Sequence, residues 1–369
     1  MYQLKGSTWV AWQEARFSVK VMYILTVCVL AHPLPLIVSD VRAAEPTSNE
    51  LYHPPGMWSW DFWFAKKGEV YHAFYLQAPI CVGSHKLKQN YMMMIGHATS
   101  TNLNEWKNCG PVVCAIPGTW NDGYTATGSV VAHEGHWWMV YTGRNPGADG
   151  VGLAVSDNLY QWTKVGDGPI VPLSAESPSE TADGVFTGHW KSQKLRWIGI
   201  ADPYVYPEPI DGKFVMVLNA KVVGDPVATN GCLATLLSLD LKTWQPGPVL
   251  AYPQWFDRLE TPQLWTHGGR WYLYFGGALD HGIPNNLPQP IKDRGIRGNY
   301  VFTSDRWDGP YEPRGEWHMK ILGYIAKVLP GPSGKDVLLI TVRQQLSRPY
   351  LVVYPGAGGL GIENNISEE

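Results

Sequence analysis

Gly269-Arg270-Trp271-Tyr272-Leu273-Tyr274-Phe275 decides the fold, because the chain spells the same device five times. In each copy a glycine opens a short run of alternating aromatic and aliphatic residues. The others are Gly68-Glu69-Val70-Tyr71-His72-Ala73-Phe74-Tyr75, Gly135-His136-Trp137-Trp138-Met139-Val140-Tyr141, Gly212-Lys213-Phe214-Val215-Met216-Val217-Leu218 and Gly334-Lys335-Asp336-Val337-Leu338-Leu339-Ile340. Successive glycines stand 67, 77, 57 and 65 residues apart. A self-similar unit of turn plus strand at that spacing marks a radial β array. Five units predict an all-β chain, a single five-bladed β-propeller with four-stranded antiparallel blades. In such a ring the first strand of every blade faces one central channel.

Working outward, a second motif follows the first. It reads Ser100-Thr101-Asn102-Leu103-Asn104-Glu105-Trp106, Ser156-Asp157-Asn158-Leu159-Tyr160-Gln161-Trp162, Ser238-Leu239-Asp240-Leu241-Lys242-Thr243-Trp244, and a degraded Ser304-Asp305-Arg306-Trp307-Asp308-Gly309-Pro310-Tyr311. Each copy reads as the end of a third strand, a polar turn and a Trp that opens a fourth. The inner strands are expected at about Trp60–Ala65, Thr125–Ala132, Ile200–Tyr206, Leu259–Trp265 and Leu322–Val328. Helix signals are nearly absent. Residues 52–355 form one domain on this reading, with 44–51 as a leader. Residues 356–369 are a tail, unless a last strand near Tyr350–Tyr354 closes the ring.

Composition agrees with a turn-rich β domain. The chain has 369 residues, 12% aromatics with 18 Trp and 19 Tyr, and only 17% charged residues. Trp beyond the needs of a core goes to ligand surfaces, where flat sugar faces stack, or fills the gaps between blades. A net charge of −3 gives no electrostatic reason to bind nucleic acid or an anionic membrane. The first residues differ from the rest. Lys20 precedes an apolar run from Val21 to Ala31, and Val41-Arg42-Ala43 precedes Ala44. Residues 1–43 therefore read as a signal peptide, or as an over-extended start before Met22. The mature protein is expected to be secreted or periplasmic, monomeric and free of the membrane. Cys81, Cys109, Cys114 and Cys232 then remain, and export permits a local Cys109–Cys114 bridge without demanding one. No spacing resembles a zinc site, and no cofactor or metal is expected.

Acids fall at similar places on three inner strands. Asp61, Asp202 and Glu260 precede their glycines Gly68, Gly212 and Gly269 by seven, ten and nine residues. A propeller would gather them at one channel mouth. Glycoside cleavage needs such a set: one carboxylate attacks the anomeric carbon or activates water, and a second protonates the leaving oxygen. A third stabilises positive charge or raises the acid by like-charge proximity. One such acid alone would be read as a strand-end carboxylate capping a turn.

From about Tyr52 to Tyr354 the chain resembles the clan of five-bladed propeller glycosidases. The clan holds glycoside hydrolase families 32 and 68, which act on fructans and sucrose, and family 43, which acts on arabinofuranosides and xylosides. Ile95-Gly96-His97-Ala98-Thr99-Ser100-Thr101-Asn102-Leu103-Asn104-Glu105-Trp106, Thr127-Gly128-Ser129-Val130-Val131, Tyr141-Thr142-Gly143 and Phe74-Tyr75-Leu76-Gln77-Ala78-Pro79 carry the resemblance. It implies that Asp61 is the nucleophile of family 32 or the general base of family 43. It implies that Asp202 is the transition-state stabiliser and Glu260 the acid/base. Gln77, Asp122, Thr127 and Ser129 fall where these enzymes contact sugar hydroxyls. The chain also departs from family 32. Trp58-Ser59-Trp60-Asp61-Phe62-Trp63 replaces an Asn-Asp-Pro-Asn-Gly stretch, Ala201 replaces the arginine beside Asp202, and Thr261 replaces a cysteine. A furanoside other than fructose, such as an arabinofuranoside, fits as well.

Around Asp61, strict alternation would put Trp60 and Phe62 on one face of the strand and Asp61 and Trp63 on the other. Either pair could wall a sugar pocket. His189, beside Trp190 on a long insertion, and His281 are further substrate contacts on this reading. Lys292, Arg294 and Arg297 form a basic loop, read as solvated. The expectation is an exported hydrolase of furanosidic oligo- or polysaccharides. A transglycosylase of the same clan and a non-catalytic carbohydrate-binding propeller are the alternatives.

Overall fold

The computed structural model describes residues 51–363, apart from 84–85, 146–147, 174–189, 193–194, 280–283, 295–296, 316, 320–322 and 357. The expected signal peptide lies outside these residues. So do His189 and His281.

Five antiparallel sheets follow one another along the chain. Blade 1 comprises Met57–Lys67, Val70–Pro79, Met94–Ser100 and Lys107–Val113. Blade 2 comprises Tyr124–His133, His136–Asn145, Ala148–Ser156 and the short Thr163–Lys164. Blade 3 runs Leu195–Val205, Phe214–Val222, Gly231–Ser238 and Gln245–Ala251, with Trp190–Ser192 added along its first strand. Blade 4 has Arg258–His267, Arg270–Ala278 and Gly298–Ser304. Blade 5 has Ala326–Pro330, Asp336–Val342, Tyr350–Val353 and Gly361–Glu363.

Three elements differ from expectation. Tyr350–Val353 is the third strand of blade 5, and Gly361–Glu363 pairs with it as the outermost strand. Gly361–Glu363, expected in a tail, is thus part of the last blade. The fifth inner strand begins at Ala326, not Leu322, because Gly323 at φ 125 and Ile325 at φ 67 break the extended run. In blade 4 the fourth strand shrinks to two bridges, Thr303 with Glu312 and Tyr300 with His318.

The repeated Ser-x-Asn/Asp-Leu-x-x-Trp turn has one construction. Ser100, Ser156 and Ser238 each accept two backbone N–H bonds through Oγ, at 2.8–3.2 Å. Asn102, Asn158 and Asp240 each cap the next two free N–H groups. Leu103, Leu159 and Leu241 sit at φ 63, 70 and 63, a left-handed backbone unfavourable for leucine. Complete burial of each leucine offsets that cost. Trp106, Trp162 and Trp244 then donate Nε1–H to those leucine carbonyls at 3.0–3.1 Å.

The apolar core splits into five clusters, one per seam between adjacent blades. Phe74, Ile95 and Met139 fill the seam of blades 1 and 2; Val140, Trp197 and Met216 fill that of 2 and 3. Val217, Phe256 and Phe275 fill the seam of 3 and 4; Tyr274, Val301 and Leu338 fill that of 4 and 5. Phe62, Tyr75, Val337 and Leu339 join blade 5 to blade 1 and so close the ring. Tyr52 and Leu346 exchange backbone bonds of 3.1 and 2.8 Å across that last seam. Cys81, Cys109, Cys114 and Cys232 are free thiols, so Cys109 and Cys114 form no local bridge.

Candidate active site

Four inner strands break their pairing with the second strand. In blade 1 the register skips from Trp60–Leu76 to Trp63–Phe74, and in blade 2 from Ala126–Thr142 to Gly128–Tyr141. In blade 3 it skips from Ala201–Asn219 to Tyr204–Val217, and in blade 4 from Glu260–Gly276 to Gln263–Tyr274. The extruded residues include Asp61, Thr127, Asp202 and Thr261. Such bulges re-aim a side chain away from the regular pleat. Asp61, Asp202 and Thr261 hold φ values of 50, 61 and 47 there. Strain of this kind persists where the surroundings over-determine it, and it gathers at functional sites.

The bulge overturns the alternation expected around Asp61. Trp60 and Trp63 share a face and pack toward blade 2, while Phe62 packs toward blade 5 against Tyr75, ring centres 4.9 Å apart. Phe62 is buried in that seam, and Trp60 is partly buried in the other. The bulge also refines the equivalence of the three acids. Thr261 occupies the extruded position of blade 4, and Glu260 lies one residue earlier, still paired with Gly276.

One hydrogen-bonded path ties the extruded residues together across all five blades. Thr127 Oγ1 donates to Asp61 Oδ2 at 2.8 Å. Thr142 Oγ1 donates to the Thr127 carbonyl at 3.3 Å and accepts from the Asp202 N–H at 3.1 Å. The Thr261 N–H donates to Asp202 Oδ2 at 2.9 Å. Lys327 Nζ donates to the carbonyls of Thr261 and Pro262 at 2.6 and 3.0 Å. Glu260 is held separately. Arg258 Nη1 lies 3.1 Å from its Oε1, and the Tyr324 hydroxyl donates to its Oε2. Gly276, opposite Glu260, leaves room for this contact, since a Cβ there would meet Ile325 Cδ1 at 2.7 Å and Tyr324 at 3.1 Å.

The three carboxylates feel one another. Burial, then the charge of Asp202, pushes the Asp61 carboxyl up to about 7, with Glu260 adding to the rise and Thr127 and Lys327 opposing it. Burial also raises Asp202, and Glu260 raises it further against the Thr261 N–H, Arg144 and Lys327. Burial drives the Tyr324 phenol up, and Glu260 reinforces this. A hydroxyl so disposed stays protonated and donates.

The remaining expected contacts scatter. Thr127 reaches Asp61, as above. Ser129 is buried and accepts the Val205 N–H at 2.9 Å, clasping blade 2 to blade 3. Gln77 is buried against Gly96, where an added Cβ would lie 2.8 Å from its side-chain carbon. Asp122 is exposed on the loop entering blade 2. Sequence reasoning passed over Thr142, Arg258, Tyr324 and Lys327. Only Lys327 carried a signal, a lone cation inside the apolar Ile325-Ala326-Lys327-Val328-Leu329. Among the described residues no cluster of His, Cys, Asp and Glu is arranged to hold a metal ion.

Residues 54–266 match the glycosyl hydrolases family 32 N-terminal domain. No curated protein sequence matches the chain. Among solved structures, it superposes on a family 32 β-fructofuranosidase of Bombyx mori with a TM-score of 0.62 at 17% identity, covering 86% of this chain. The match spans 64% of that enzyme's length. An inulosucrase of Halalkalicoccus jeotgali bound to kestose gives a TM-score of 0.60 at 18% identity, covering 85% of this chain and 90% of the inulosucrase. An α-L-arabinofuranosidase of Clostridium thermocellum gives 0.54 at 13% identity, with coverages of 82% and 92%.

Proposed function

Because the chain belongs to glycosyl hydrolase family 32, we propose that it is a hydrolase of furanosidic linkages, fructans first among them, and that Asp61, Asp202 and Glu260 carry the reaction. Family membership supports reading Asp61 as the nucleophile over the general base. Asp61 attacks the anomeric carbon and forms a glycosyl-enzyme intermediate. Glu260 gives its proton to the leaving oxygen and later takes one from water, so configuration is retained. Asp202 stabilises the positive charge that builds on the sugar. Arg258 and Tyr324 grip the two oxygens of Glu260 and fix its aim.

The observation that carries this reading is the continuous path from Asp61 through Thr127, Thr142, Asp202 and Thr261 to Lys327. A fold needing only stability has no use for two strained carboxylates wired into one buried network. The same intermediate can pass to a sugar instead of water, so transglycosylation is the second outcome of the same test. Export is part of the proposal, with the mature protein beginning at Ala44; the N-terminal sequence of protein recovered outside the cytoplasm checks it.

Purified protein is to be screened against inulin, levan, sucrose, arabinan and aryl furanosides beside Asp61→Ala and Glu260→Ala. Sugar release by the wild type and loss of at least about a thousandfold in both variants is expected. With Asp61 held at about 7 and required as the anion, kcat/KM should fall as the pH drops below neutral. No release from any furanoside, or release that survives both substitutions, overturns the assignment and favours a sugar-binding propeller.

A further inference from the structure

Blade 5 sends one charged side chain into this network. Lys327 retains 5% of its surface, an exceptional degree of cover for a lysine. An ammonium taken from water must find compensation in paired charge and hydrogen bonds. Lys327 finds it in the carbonyls of Thr261 and Pro262, the two residues extruded from the blade 4 strand next to Glu260. The rings of Tyr274 and Tyr204 lie with their centres 5.6 and 5.9 Å from Nζ, close enough for a cation–π attraction. Burial lowers the amine to about 7, while Asp202 and Asp61 pull it back up. Arg144 also acts on Asp202, and Glu260 acts on both aspartates in the opposite sense. Where the resemblance puts an arginine beside Asp202, this chain has Ala201. Lys327 brings a cation into the network from blade 5 and acts on Asp202 through space.

We propose that Lys327 is a positioning residue for the three carboxylates, clamping the blade 4 bulge that sets Glu260 and supplying the buried positive charge that lets Asp61 and Asp202 share one site. The clamp is geometric, since the Thr261 N–H that binds Asp202 and the Thr261 carbonyl that binds Lys327 flank a single residue. Releasing the carbonyl frees the N–H as well. The charge acts through space on Asp61 in blade 1 and Asp202 in blade 3. This inference rests on the reading of those residues as the catalytic set.

Three substitutions separate the two parts of the role. Lys327→Arg keeps the charge, Lys327→Gln keeps a donor without charge, and Lys327→Met removes both. With substrate, the acid limb of kcat/KM is expected to move about one pH unit upward in the Gln and Met variants. It should stay near the wild-type position in the Arg variant. Variants that melt earlier but leave the limb unmoved would reduce Lys327 to a structural lysine and overturn the proposal. A second measurement needs neither turnover nor a folded lysine variant. The titration of Lys327 Nζ, followed by nitrogen NMR in wild type and Asp61→Asn, should shift downward by about half a unit or more when the neighbouring charge is gone. An unchanged titration overturns the proposal. A protein inert on every furanoside that still shows this shift would refute the assigned activity and leave the coupling standing.

Discussion

Asp61 combines a left-handed backbone, a buried carboxylate and a like-charged neighbour, and each of these works against stability. Its carboxyl ionises at about 7 in the folded chain against 3.8 for an unperturbed one. The folded state therefore binds the proton more tightly, and stability falls as the pH rises from about 4 through 7. Asp61→Asn removes that loss. The variant should equal the wild type near pH 4 and exceed it by about 1–3 kcal/mol at pH 8, as read by denaturant unfolding at both values. An equal gain at both pH values would trace the effect to packing, not charge. At this scale the recurrence of Asp61, Asp202 and Glu260 at similar offsets from the repeat glycines was legible. Their supports were not. Thr142 meets Asp202 across 60 positions and Tyr324 meets Glu260 across 64, and no local pattern encodes such pairs. The break in alternation at Asp61 did leave a trace in its counterparts. Pro203 and Pro262 stand inside inner strands, where proline is confined to edges and bulges.

The strand-linking turn is the element that sequence resolved best. Its three intact copies share a serine, an Asn or Asp, a leucine and a tryptophan at fixed spacing, and they share the serine-capped and tryptophan-donated hydrogen bonds of the turn. Ser238→Ala removes the acceptor for two N–H groups at the start of one turn. Unfolding free energy should drop by about 1–2 kcal/mol, the usual cost of losing a side-chain cap, with catalytic constants unchanged. An altered KM would show that this turn speaks to the site. The fourth copy illustrates how the motif decays. Ser304 keeps its bond to the Arg306 N–H, and Pro310 stands where the intact copies have tryptophan. The blade 4 edge accordingly survives as two isolated bridges. The degraded wording Ser304-Asp305-Arg306-Trp307 showed that decay, but not what would replace the strand.

For the molecule as a whole, the blade count was legible because a glycine-led strand occurs once per blade. The manner of closure was not, because it depends on which end of the chain completes the last sheet. All the named strands of blade 5 come from the C-terminal side, so among the described residues the ring is shut by side chains and one backbone bridge. Tyr52 contributes its backbone to Leu346, its hydroxyl to Tyr75 at 2.8 Å and its ring edge to the same tyrosine. Ser59 adds a bond of 3.0 Å to the Gln344 carbonyl. Tyr52→Ala should lower stability by about 2–3 kcal/mol, seen as an earlier melt, while kcat at low temperature holds. An intact melt would place the closing strength in the Phe62 cluster instead.

Closure by the final blade also sets an order in time. The ribosome delivers Asp61, Asp202 and Glu260 well before Tyr324 and Lys327, and Ser59 waits 285 positions for its partner. A nascent chain ending anywhere before blade 5 holds all three acids but lacks both the hydroxyl that aims Glu260 and the ammonium that clamps its strand. The hydrogen-bonded path that begins at Asp61 is thus completed at Lys327 only in the step that seals the ring.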